Sequence, residues 1–144
     1  MEGGAESTCF VRVSGVEDVS DHRSVALAAL RLACEDIASG QLDAAERRLA
    51  SIPAALRIEL RMDEALARSS LALGRGDVRR ALDAVSDALF EQPAHAGLRL
   101  HRGKVLAAMG RREEARADFR FAASERSLRG EAEHLLRALE DAAG

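Results

Sequence analysis

An all-α fold of stacked helix pairs is predicted by three observations in this 144-residue chain. Its commonest residues are Ala, Leu, Arg and Glu, all good helix formers, and it has only 2 prolines. A glycine followed five residues later by alanine occurs three times: Gly40-Gln41-Leu42-Asp43-Ala44-Ala45, Gly76-Asp77-Val78-Arg79-Arg80-Ala81 and Gly110-Arg111-Arg112-Glu113-Glu114-Ala115. The copies lie 36 and 34 residues apart, and so regular a spacing marks a structural repeat.

Residues 1–20 read as a flexible or extended arm. Glycines and serines punctuate them, and Cys9-Phe10-Val11-Arg12-Val13 is short, apolar and β-favouring. Asp21 is suited to cap a first helix over about 22–39, which Gly40 ends. A second helix spans about 42–51, before Pro53. A third covers about 55–73, with a long helix or an irregular link expected near residues 53–60. The fourth, fifth and sixth are expected at about 78–91, 95–109 and 112–124. Ser127 is a candidate cap for a seventh, about 128–142, in which Leu128, Ala132, Leu135, Leu136 and Leu139 make one apolar stripe.

The alanine falls early in the second helix of each pair, where two helices joined by a tight turn come close. A larger side chain there would cost roughly 1–3 kcal/mol. One turn further on the same face stand Leu49, Val85 and Phe119, followed three residues later by Ile52, Ala88 and Ala122. Seven residues before each glycine stand the small residues Ala33, Ser69 and Gly103. This pattern, with Pro93 between two copies, resembles the tetratricopeptide repeat over about residues 25–127. The resemblance implies a right-handed α-solenoid of three antiparallel pairs, at about 26–59, 62–95 and 96–127, in one domain over 21–144. The seventh helix is similar to that family's capping helix.

Bulk charge narrows the partners. The net charge of −3 argues against general nucleic-acid or membrane affinity. No apolar run reaches 18 residues, and no signal stretch follows the acidic start, so the cytoplasm is the expected location. Cys9 and Cys34 have no metal-type spacing and read as reduced thiols. Residues 99–129 hold nine bases and four acids, a local +5.

In the tetratricopeptide family the first helix of each pair lines a concave groove that holds a partner's segment. The matching places, ten, six and three residues before each glycine, share one helical face. They are Leu30, Cys34 and Ile37; Leu66, Ser70 and Leu73; Leu100, Lys104 and Ala107. His101 joins Lys104 at a basic end that, with Arg99, Arg102, Arg111 and Arg112 nearby, could receive an acidic segment, although solvated charges on a helical repeat are the preferred reading of these residues. Two readings stand. Either the leucines are core, or they line a groove covered by a partner, a second copy, or the chain's own Phe10, Val11 and Val13. The family's carboxylate clamp needs asparagines, and the chain has none, so that clamp is excluded.

No catalytic constellation is visible. His22, His95, His101 and His134 are scattered, and the adjacent acids Glu35-Asp36, Asp63-Glu64 and Glu113-Glu114 point in different directions. No phosphate-binding glycine loop is present. Neither a cofactor nor a metal is expected. The expected function is a non-catalytic scaffold that binds a peptide or protein segment, acidic or apolar. Alternatives are a chaperone-like protein shielding apolar segments of a client such as a secreted protein, and a homodimeric adaptor or regulatory subunit of an enzyme on another chain.

Overall fold

The computed structural model of the chain describes residues 15–143. Among these residues there are eight α-helices and no strand. They are α1 (Gly15–Ala38), α2 (Leu42–Ala50), α3 (Ala54–Arg57), α4 (Arg61–Gly74), α5 (Val78–Glu91), α6 (Ala96–Ala108), α7 (Arg112–Ala122) and α8 (Arg129–Ala143). A 3-10 turn, Arg126–Leu128, precedes the last. No helix among them is long and apolar enough to cross a membrane.

The three turns are built alike. Gly40, Gly76 and Gly110 have φ of 82°, 81° and 80°, the left-handed region that glycine enters without steric cost. Each closes the same pair of backbone bonds. The glycine N–H donates to the carbonyl three residues back, at 3.0–3.1 Å, and the next N–H reaches five residues back: Gln41 to Asp36, Asp77 to Ala72 and Arg111 to Leu106. This is the Schellman arrangement, which satisfies carbonyls that a helix end leaves open. The chain then turns directly into the next helix. Its first internal bond is donated by the repeat alanine, from Ala45, Ala81 and Ala115 to Gln41, Asp77 and Arg111.

Those alanines are fully buried, as are Leu49 and Val85, with Phe119 1% exposed. Each hairpin, α1/α2, α4/α5 and α6/α7, therefore closes over a small residue and fills the space beyond it with a large one. The facing small positions are also buried: Ala33, Ser69 and Gly103. At Gly103 the fit leaves no room for a methyl group. A Cβ would lie 2.5 Å from Phe119 Cε1 and 3.2 Å from Asp118 Cβ. Gly103→Ala is expected to lower stability by roughly 1–3 kcal/mol through this overlap, despite the better helix propensity of alanine. A melting temperature at or above wild type would contradict it.

Packing follows the chain. Besides the hairpins, α1 and α2 both meet α4, α4 and α5 both meet α6, and α7 meets α8. The first core gathers Leu30, Leu49, Ile52, Leu56, Leu60 and Leu71. The last brings Ala132 and Leu139 of α8 onto Leu100, Phe119 and Ala122. The seam between middle and last hairpins is made by Val85 and Leu89 with Leu98, and by Ala72 and Ala81 with Val105.

Two expectations are corrected, and a third resolves between its two forms. Helix α1 begins at Gly15, so residues 15–20 belong to a helix and Asp21 lies inside it. Between Gly15 and Gly40 no glycine or proline interrupts propagation. The fold-back of Phe10, Val11 and Val13 lies outside the described residues. Of the two forms expected near residues 53–60, the irregular link is the one found: Pro53 (φ −58°, ψ 138°) starts the single turn α3, and α4 follows at Arg61. Ile52, Leu56 and Leu60, four apart, hold this link on the core. The seventh helix starts at Arg129, after the 3-10 turn that contains Ser127. Its expected stripe is nevertheless the face that packs.

Candidate functional site

The face expected to form a groove lies on α1, α4 and α6. The structure divides its residues. Leu30 (6% exposed) and Leu100 (5%) are core, the first against Ala33 and Leu49, the second against Phe119 and α8. His101 (8%) is also buried. These three do not line an open surface. Ile37, Leu66, Ser70, Leu73 and Lys104 are half-buried, and Cys34 is exposed. Leu66 leans on the cluster of Val85, Leu89 and Leu98, and Leu73 on that of Ala81 and Val105.

What remains accessible is a patch on α1 and α4, with Cys34 exposed and Ile37, Ser70 and Leu73 half-buried. Asp63 in the first turn of α4 acts on the Cys34 thiol, which places α1 and α4 side by side there. Burial, then Asp63, then Glu35 push that thiol above its ordinary pKa, because each disfavours the thiolate.

The basic end is largely neutralised from within. Lys104 Nζ lies 2.6 Å from Glu131 of α8. Arg111 holds Glu114 through two bonds of 2.7 and 2.8 Å. Arg99 and Arg102 converge on Asp118 of α7, whose side chain is only 2% exposed. Asp118 Oδ1 accepts from Arg99 Nε (2.7 Å) and Arg102 Nη2 (2.8 Å), and Oδ2 accepts from Arg102 Nε (2.7 Å). The Arg99 guanidinium also stacks 4.2 Å over Phe121.

His101 belongs to a buried polar link that ties three helices. The Ser69 hydroxyl of α4 donates to the Ala81 carbonyl of α5 at 2.7 Å. Its oxygen can then accept from His101 Nε2–H of α6, at 2.9 Å, which selects that tautomer. Burial first, then Lys104, lower the His101 pKa from 6.5 to about 4, against an opposing pull from Glu131. Between those values the unfolded chain binds a proton that the folded one refuses. Stability is therefore complete above pH 6.5 and falls as the pH drops toward 4. From neutral pH to pH 5 this single group should cost ~2 kcal/mol. His101→Gln should remove that share of the slope in urea unfolding; an unchanged slope would refute it.

Spacing pointed to Ser69 as a small residue and to His101 as a surface base, but not to their contact. Asp118 was missed altogether. Its signal is register: it stands eight residues after Gly110, and Arg102 eight before it. Among the described residues no three His, Cys, Asp or Glu side chains are grouped to hold a metal ion. No protein-family model matches the chain, and comparison with curated proteins finds no match.

Proposed function

We propose that the chain is a non-catalytic interaction scaffold of the tetratricopeptide kind, three helix pairs forming a right-handed solenoid with α8 as its cap. It holds a segment of a protein partner on the accessible part of α1 and α4, around Cys34, Ile37, Ser70 and Leu73. The observation that carries this reading is the threefold recurrence of one hairpin design: a left-handed glycine, a fully buried alanine and a buried large residue one turn on. A rigid frame repeated in this way presents side chains of successive first helices as one surface.

Cys34 supplies the test, because it is the exposed residue of this face. In a Cys9→Ser background, a bulky maleimide on Cys34 should reduce capture of the partner from native extract about tenfold, the loss expected when one buried contact worth ~1.4 kcal/mol is blocked. The same adduct on Arg79→Cys of α5, in a chain lacking both native cysteines, should leave capture unchanged. Equal capture with both adducts would defeat the proposal.

A further inference from the structure

The three hairpins share one register, so their seams can be compared position by position. Eight residues before each turn glycine stand Leu32, Arg68 and Arg102; eight after it stand Arg48, Ala84 and Asp118. In the last hairpin Arg102 and Asp118 meet across the seam, and the cavity left beside them is about 290 Å³. In the first, Arg48 crosses to Asp36 at 2.6 Å. In the middle hairpin Arg68 and Ala84 line an open cavity of about 590 Å³, with no carboxylate at the place that Asp118 fills one repeat later.

The walls of this cavity suit a carboxylate on an apolar stem. Leu71, Ala72 and Ala84 form its apolar part, with Arg68, Arg75 and Arg80 beside them. Two acids also line it, and both are engaged: Glu46 pairs with Arg75 at 2.6 Å, and Asp77 Oδ1 accepts the Arg80 backbone N–H. Arg68 gives Nε and Nη2 to Glu64, which leaves Nη1 outside that pair. The Arg80 guanidinium is in no ion pair among the described residues.

The hollow continues. Ala84 also lines a second cavity of about 230 Å³, where Asp87 stands beside the Arg61–Glu91 pair at the far end of the hairpin, so that end suits uncharged residues and the carboxylate belongs at the Ala84 end. The trough thus follows α5, whose 14 residues span about 21 Å. That length suits about six residues of extended chain, whereas a small free carboxylate would fill one end only.

We infer that this trough binds an extended acidic peptide segment of a protein partner, with one carboxylate over Ala84, held by Arg68 and Arg80 in the place that Asp118 takes in the last hairpin. At 100° per residue, Arg68, Leu71 and Ala72 lie on the side of α4 opposite Leu66, Ser70 and Leu73. The site is therefore separate from the Cys34 patch, and either can fail without the other.

The test is a titration of the isotope-labelled full chain, followed by amide shifts. The probes are a blocked alanine hexapeptide with glutamate at its third position, its glutamine counterpart, and acetate. The glutamate peptide should give saturable shifts at Arg68, Ala72 and Ala84, with the glutamine peptide about tenfold weaker, as loss of a charge-assisted bond predicts. Ala84→Asp, which supplies the carboxylate internally, should abolish peptide binding and raise the melting temperature, whereas Ala84→Asn should not raise it. Arg80→Gln, at an exposed position, should weaken binding without altering the fold. Equal affinity for the two peptides, shifts confined to the Leu66 side, or acetate matching the peptide would each overturn the proposal.

Discussion

Ala81→Arg is expected to unfold the middle hairpin. Ala81 has no exposed surface and packs with Ala72 of α4 and Val105 of α6. Its carbonyl receives the Ser69 hydroxyl, so displacement of the backbone would also break the polar link to His101. Overpacking alone costs roughly 1–3 kcal/mol, and an unpaired buried charge adds several more. Together these approach the whole stability of a domain of this size, about 5–15 kcal/mol. Circular dichroism should show loss of cooperative melting, with Ala81→Gly much milder. A wild-type melting curve for the arginine variant would remove the basis for the hairpin reading.

The second large effect concerns Asp118. Arg102 supplies two of its three guanidinium bonds and Arg99 the third. Replacing both arginines by alanine strands a buried carboxylate and should cost ~3–5 kcal/mol. Arg102→Ala alone should cost more than Arg99→Ala alone. The triple variant that also carries Asp118→Ala should recover part of the loss, because the stranded charge, rather than the missing attraction, is the main penalty. Chemical denaturation of the four variants measures this; a triple variant no more stable than the double would show that packing of the arginine stems dominates.

The helical hairpins were legible in the sequence because their chemistry is local. A left-handed glycine, the carbonyls it satisfies and the alanine that begins the next helix lie within ten residues of one another. The apolar face of α8 was legible for the same reason, as a periodicity within one helix. Interactions between helices were not. Ser69 and His101 are 32 residues apart, and nothing in either neighbourhood announces a hydrogen bond. The burial of Leu30 and Leu100 likewise depends on what α2, α7 and α8 lay over them, and helical spacing alone does not contain that. The start of α1 escaped because Asp21 is as compatible with a helix interior as with a cap, and only the continuation of the backbone decides between them.

The packing of each helix on partners close to it in the chain also governs how the protein folds. Every principal contact joins elements that are at most three steps apart in element order. Contacts of this kind close short loops, and little chain entropy is lost before the first favourable burial is gained. Folding is therefore expected on the microsecond-to-millisecond scale. A hairpin that forms first offers the next one a ready surface, so assembly can spread from a single early pair in either direction along the polypeptide.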